Sequence, residues 1–302
     1  MTELSIPMWQ RASDIRTLAI EGCELGLTVG WLYPQDAATY FILGTGVHYS
    51  VEQAILYGLS LEEAIAEGWL SCQREIAKAQ ADGVEIIKAN RSKRTLETME
   101  SDLSILVRNW FDTVPPGAED RFPILDDYDW PPIVEHKIWL PKENLYTTVD
   151  AIFQGGPKGG EVAIVDWKSG SKSYAPPSQL HTYRFGGVRE GWFPKEQKFV
   201  GFFVHLNAGK VQLVNEYIGD AVVTSWLHAA ELRKKEIVQA RRLPLALDSY
   251  NCQNTNVNKK NCPTCGDGNV VELLGRIAQA ELETEPAEKK SEITQPDLPG
   301  PW

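Results

Sequence analysis

The stretch from Leu145 to Lys168, LYTTVDAIFQGGPKGGEVAIVDWK, constrains this chain more than any other. Two runs rich in β-branched and aromatic residues, Tyr146 to Phe153 and Val162 to Trp167, flank a turn rich in Gly, Pro and Lys. That is the pattern of an antiparallel hairpin with a loose loop. Each run carries one aspartate set back from the turn, so strand pairing lets Asp150 and Asp166 approach each other. Two carboxylates brought together in buried strands raise each other's pKa unless a cation lies between them, and the economical expectation is a divalent-metal site. Lys168 follows Asp166 by two residues and, by the period-two alternation of a strand, shares its face. Such a trio suits hydrolysis of a phosphodiester: the carboxylates hold metal, and the ammonium orients water or neutralises developing charge. The ordinary alternative is an Asp/Lys ion pair at a strand end, which is common on surfaces.

The chain has 302 residues, enough core for one large domain or two small ones, and its 43% hydrophobic and 24% charged content is that of a soluble globular protein. No apolar run reaches the length of a membrane span, and Met1 to Arg11 lacks the charged start and apolar core of a signal peptide. The expectation is a cytoplasmic protein with no membrane partner. A net charge of -11 argues against non-specific coating of nucleic acid, which depends on neutralising phosphates, but leaves room for local basic patches. Two such clusters exist: Lys88 to Arg94 (KANRSKR), and Arg233, Lys234, Lys235, Arg241 and Arg242. Either could follow a phosphate backbone, and either could be a solvated face. The acidic, Pro-containing segment from Glu281 to Trp302 has few apolar residues and reads as a disordered tail.

Ser13 or Asp14 is placed to cap a helix carrying Ile15, Leu18, Ala19 and Cys23 on its inward face. A short apolar run then ends in Gly44-Thr45-Gly46-Val47-His48, and Val47, Val51, Ala54 and Ile55 form the stripe of a new helix with His48 in its first turn. A histidine there is disfavoured as a cation by the helix dipole and would be neutral, available as a metal ligand or simply structural. Residues 60–83 and 93–114 read as amphipathic helices, and Cys72 in the first is expected to be a buried apolar residue. Prolines and acids mark a loop from Pro115 to Pro132. The strand Ile133 to Leu140 carries Glu135, directed to the metal or to solvent. After the central hairpin, Pro176-Pro177-Ser178 begins a helix on which Gln179 and Tyr183 share one face, to line a substrate groove or to pack. A second hairpin spans Phe199 to Glu216, and a helix runs from about Asp220 to Arg242.

Cys252, Cys262 and Cys265 lie in the polar stretch NCQNTNVNKKNCPTCG. In a cytoplasmic chain a C-x-x-C outside a βαβ unit more often binds metal than exchanges thiols. Three thiolates leave a tetrahedral site one ligand short, and Cys23 would complete a four-cysteine site for Zn2+ or an iron-sulfur cluster. Reduced, unliganded thiols are the alternative.

Read in order, Cys23, Gly44-x-x-x-His48, Glu135, Asp150, Asp166-Trp167-Lys168, Gln179-x-x-x-Tyr183 and the C-terminal cysteines resemble the RecB-like branch of the PD-(D/E)XK nuclease superfamily. Within it they are most similar to the iron-sulfur exonucleases related to the CRISPR-associated adaptation nuclease and found in some bacteriophages. The resemblance covers roughly residues 13 to 265. It implies an α/β fold with a mixed central β-sheet flanked by helices. The expected organisation is an N-terminal helical region over 1–115, a nuclease core over 116–219, a helix and cysteine cluster over 220–280 packing back on the N-terminal region, and the tail over 281–302. It further implies hydrolysis of DNA at single- or double-stranded ends, with Mg2+ or Mn2+ held by His48, Asp150 and Asp166, Glu135 and Lys168 in the catalytic group, and Gln179 and Tyr183 positioning DNA. A 4Fe-4S cluster on Cys23, Cys252, Cys262 and Cys265 and a recombination or helicase partner belong to the same picture. The chain departs from the family where Thr147, Thr148 and Val149, rather than a glycine, precede Asp150. It departs again where its C-x-x-C follows the first of the three late cysteines instead of preceding the last, which makes Zn2+ the alternative to the cluster.

Overall fold

Apolar residues dominate both faces of the strand Glu161–Lys168, and a strand of that kind needs cover on each side. The computed structural model provides it with helices on both faces of a mixed sheet. It describes residues 9–15, 37–87, 94–115, 127–156, 160–170, 175–214 and 218–240. The elements in chain order are α1 (Ala12–Ile15), β1 (Ala37–Ala38), α2 (Thr39–Tyr57), α3 (Leu61–Ala81), β2 (Ile86–Ile87), α4 (Met99–Thr113), β3 (Ile133–Leu140), β4 (Leu145–Phe153), β5 (Glu161–Lys168), α5 (Ser178–Arg189), β6 (Lys198–His205), β7 (Lys210–Val214) and α6 (Asp220–Ala240). β1 and β2 form a short parallel pair of their own.

The main sheet has the order β3-β4-β5-β6-β7. β5 and β6 are parallel, with Glu161 level with Lys198 and Lys168 with His205, and α5 makes the crossover that a parallel pair requires. Every other pairing in this sheet is antiparallel. Ala151, Phe153, Ala163, Val165 and Trp167 pack against α2 and α4 on one face, while Val149, Ile152, Val162, Ile164 and Phe203 pack against α5 and α6 on the other. The architecture is therefore α/β, with a mixed sheet between helical layers, as the sequence predicts.

Regular strand alternation fails at one level of the sheet. Along β4, Val149 faces the α5 layer but Ala151 faces the α2 layer, although residues two apart in a strand should share a face. Along β3 the same change separates Val134 from Ile138 and Leu140. The β3–β4 ladder pairs Val134 with Ala151 and His136 with Val149 and skips Glu135 and Asp150 between them. Glu135 has φ +46, a left-handed backbone that a glutamate rarely adopts. Pairing of β4 with β5 covers only Ala151–Phe153 against Val165–Ala163, so the first half of β4 leaves β5 and continues with β3 on one edge and a bridge from Leu145 to Gln10 on the other. The central sheet thus splits at Asp150.

Local expectations fared according to how much tertiary packing they ignored. Ser60 caps α3 through a reciprocal bond with Glu63, as its sequence suggests. Ser13 and Asp14 lie inside the helical turn Ala12–Ile15 and not before it, and Leu18, Ala19 and Cys23 of the expected helix lie outside the described residues. α4 starts at Met99, later than the 93 read from periodicity. The largest correction concerns Gly44-Thr45-Gly46, read as the end of an apolar run: both glycines lie inside α2, which starts at Thr39. Gly46 and Gly68 sit where α2 and α3 touch, and a Cβ on Gly46 would meet Cys72 Sγ and come within 2.9 Å of the Gly68 carbonyl oxygen. Gly68 is in the reciprocal position, with the Gly46 oxygen 2.7 Å from where its Cβ would be. These glycines permit close helix packing instead of breaking the helix.

Of the helical basic cluster, Lys234 is fully buried and donates to the Trp9 carbonyl at 2.8 Å, and Lys235 pairs with Glu231 at 2.6 Å. Lys234 is therefore not part of a phosphate track, while Lys235 stays exposed beside Glu231. No helix among the described residues is long and apolar enough to cross a membrane. Cys23, Cys252, Cys262, Cys265, Lys88, Lys93, Arg241, Arg242 and the 281–302 tail lie outside the described residues.

Gly46→Ala should destabilise the protein despite alanine's better helix propensity, which is worth about 1 kcal/mol in an open helix. Overpacking against α3 costs about 1–3 kcal/mol, and the expected outcome is a lower urea midpoint, against a neutral or raised one for an exposed glycine.

Candidate functional site

The split in the sheet places three carboxylates side by side. Glu135 and Asp150 are the two residues that the β3–β4 ladder passes over between Val134–Ala151 and His136–Val149, and Asp166 directly follows Val165, the last residue of β5 paired with β4. Where the ladder between β4 and β5 ends, the Asp150 side chain takes over its role: Oδ2 accepts a hydrogen bond from the Trp167 backbone N–H at 2.7 Å. Asp150 thus reaches the backbone next to Asp166, close enough for the Asp166 charge to raise its pKa.

α2 brings in His48 from the other layer. Its Nδ1 lies 3.4 Å from Glu135 Oε1 and 3.6 Å from Asp150 Oδ1, and its Nε2 is 3.2 Å from the Trp167 carbonyl oxygen. His48 is in the middle of α2 and not in its first turn, so the expectation of a dipole-neutralised histidine does not hold. Burial pulls its pKa down, but the charge of Asp150 and the hydrogen bond and charge of Glu135, with Asp166 behind them, outweigh that and raise it to about 9. Asp150 is raised to about 7 by burial, with His48 working against the rise and Asp166 and Glu135 adding to it. One ligand atom each from His48, Glu135 and Asp150 lie within 4.8 Å of one another, a mixed nitrogen and oxygen donor set that fits a divalent cation.

Asp166 and Lys168 form the second half of the site, on the α5 side. Lys168 Nζ is 2.5 Å from Asp166 Oδ2, an ion pair rather than an aligned hydrogen bond, and donates to Gln179 Oε1 at 2.9 Å. It also lies 5.3 Å from the centre of the Phe203 ring. Gln179 Nε2 donates to Asp166 Oδ1 at 2.8 Å and is 2.6 Å from the Tyr183 hydroxyl. Tyr183 is buried, and its phenol is pushed well above the usual range by burial and by the charges of Asp166 and Asp150. The i, i+4 pair read from sequence thus points inward to fix the carboxylate and the ammonium.

Of the predicted ligand set His48, Asp150 and Asp166, the first two converge, while Glu135 occupies the third place and the Asp166 carboxylate is engaged by Lys168 and Gln179. The sequence reading missed Glu52. It lies one helical turn beyond His48 in a cavity shared with Glu135, and its pKa is raised by burial and by the Glu135 charge. The H-x-x-x-E spacing within an amphipathic helix was the available signal. Cys72, the one described cysteine, is buried, and its thiol is pushed up to about 11 by burial, as befits a core residue. The chain matches no protein-family model and no curated protein sequence.

Two outcomes follow from this electrostatic arrangement. A bound cation must displace the proton from His48 and, at lower pH, from Asp150, so affinity falls with acidity. Mn2+ affinity should rise about tenfold per pH unit between about 7 and 9, level off above, and fall more steeply below 7; titration calorimetry in buffers of different ionisation enthalpy should detect the released proton. Glu135→Gly should relieve a left-handed strain of about 1 kcal/mol or more together with carboxylate repulsion. Its urea midpoint in chelator should match or exceed the wild type, while its Mn2+ affinity drops by at least roughly tenfold.

Proposed function

We propose that this chain is a metal-dependent DNA exonuclease of the PD-(D/E)XK type, hydrolysing phosphodiester bonds at DNA ends with Mg2+ or Mn2+. The observation that carries the reading is the convergence of His48, Glu135 and Asp150, with the Asp166–Lys168 ion pair at the end of the neighbouring strand. The ordered motifs of the sequence support the same conclusion.

In this reading His48, Glu135 and Asp150 would hold the cation, which would supply Lewis acidity and lower the pKa of a water molecule. The protein's own contribution is placement. Trp167 N–H fixes one oxygen of Asp150, leaving the other turned toward His48. Gln179 holds Asp166 and Lys168 in a single orientation, so that the ammonium stands beside the carboxylate row without reorganising during the reaction. Water oxygen would attack phosphorus and release a proton to solvent, the bond from phosphorus to the bridging oxygen would break, and the leaving oxygen would take a proton from solvent; Lys168 is the cation placed to offset charge building on the phosphoryl oxygens. The same proposal assigns Cys23, Cys252, Cys262 and Cys265 to a 4Fe-4S cluster or Zn2+, on the sequence alone, with an absorption spectrum and metal analysis of anaerobically purified protein as its check.

The test is digestion of end-labelled DNA with magnesium or manganese. Wild type should shorten DNA from its ends and lose this activity in chelator, and Asp150→Asn and Asp166→Asn should each lose roughly a thousandfold or more while remaining folded. Retention of DNA without shortening would identify a catalytically silent binding protein instead.

A further inference from the structure

A cavity of about 540 Å³ opens beside the metal-ligand group and shares His48 and Glu135 with it. Pockets of that size hold ligands from a nucleotide upward. Three aromatic residues, Tyr40, Phe41 and Tyr49, line it, all supplied by α2. Phe41 is 57% exposed and Tyr40 42%, and their rings lie against each other with centroids 4.2 Å apart and planes tilted by 37°. They make a platform at the cavity wall that the core does not require. Ser169 and Gly170, which directly follow Lys168, also line it, so the cavity reaches the end of β5.

The charges in the cavity indicate which part of a nucleotide belongs there. Glu52 and Glu135 repel a phosphate from its interior but can accept hydrogen bonds from amine groups on a base edge. The Arg94 guanidinium also lines the cavity, anchored by the Ser169 carbonyl and by Asn207 Oδ1 at 2.8 and 3.0 Å. An aromatic shelf, acceptors within and an arginine at the wall suit a nucleobase, whose faces stack on aromatic rings whatever its identity. Resting on the nuclease reading above, we propose that this cavity binds the unpaired base of the terminal nucleotide, stacked on Phe41 and Tyr40, while the adjoining phosphodiester lies at the carboxylate row. A base inside a duplex is already stacked on its neighbours and must leave the helix to enter such a pocket, at a cost that is smallest at a frayed or single-stranded end. The substrate class is therefore DNA with an unpaired terminus.

The experiment compares kcat/KM of the full-length protein, with magnesium, on a blunt duplex, on the same duplex with mismatched terminal pairs, and on that frayed duplex with abasic terminal nucleotides. Wild type should prefer the frayed over the blunt end by about tenfold, and Phe41→Ala should remove about tenfold on the frayed end, mainly through KM, with Phe41→Trp restoring it. On the abasic end, wild type and Phe41→Ala should be equal, because the group that stacks is gone from both. Equal turnover of blunt and frayed ends, or a Phe41→Ala loss of the same size on normal and abasic ends, would overturn the base pocket while leaving the nuclease intact. Failure of the wild type to hydrolyse any of these ends would overturn the nuclease reading, and the pocket assignment with it.

Discussion

The hydrogen bond from the Trp167 backbone to the Asp150 carboxylate is the contact on which the arrangement of the site depends. The β4–β5 ladder stops at Ala151 and Val165, and the Trp167 N–H is buried without a strand partner on that side. An unsatisfied buried N–H costs about 1–3 kcal/mol, and a carboxylate is a stronger acceptor than the carbonyl it replaces. Asp150 thereby lets the sheet split without leaving an orphaned donor. The split is what makes room for a histidine from one helical layer and a lysine and glutamine network from the other to meet at the same level. A continuous sheet would have kept those layers apart.

The same geometry sets the charge problem. Glu52, Glu135, Asp150 and Asp166 are concentrated in a small volume, with His48 and Lys168 as the near cations. The surrounding carboxylates raise the His48 pKa to about 9, which favours a protonated imidazole among them. Lys168 is separately committed to Asp166 and Gln179, so a cation binding on the His48 side need not compete with the ammonium. The left-handed backbone at Glu135 belongs to this economy: it turns the carboxylate toward His48 at the point where β3 changes face. Strain of this kind persists only where surrounding structure enforces it, and here the flanking pairs Val134–Ala151 and His136–Val149 do so.

Much of the site was legible before any coordinates. The hairpin pattern alone places Asp150 and Asp166 on neighbouring antiparallel strands, and bounds the strand carrying Glu135 at Ile133 and Leu140, as observed. Gln179 and Tyr183 were put on one helical face. The errors arose where the meaning of a residue depends on a distant partner. Gly44 and Gly46 look like helix breakers to a reader of local propensity, because the reason for glycine at 46 is α3, more than twenty residues away. Displacing the start of α2 in turn gave His48 the wrong position and the wrong charge. Lys234 read as solvated because nothing near it in sequence reveals that the Trp9 carbonyl will receive it.

Sequence by itself determined the elements and the side chains they carry: the period-two runs that become β3, β4 and β5, and the acids and lysine set on them. These follow from local periodicity and side-chain type, which need no knowledge of distant contacts. Tertiary structure alone decided where the sheet splits, that Glu135 rather than Asp166 joins His48 and Asp150, and that Gln179 ties Asp166 to Lys168. Those outcomes depend on register, on a backbone forced into a left-handed conformation, and on the balance of burial against neighbouring charge. Each of these is a property of residues brought together by folding, and none is encoded by spacing along the chain.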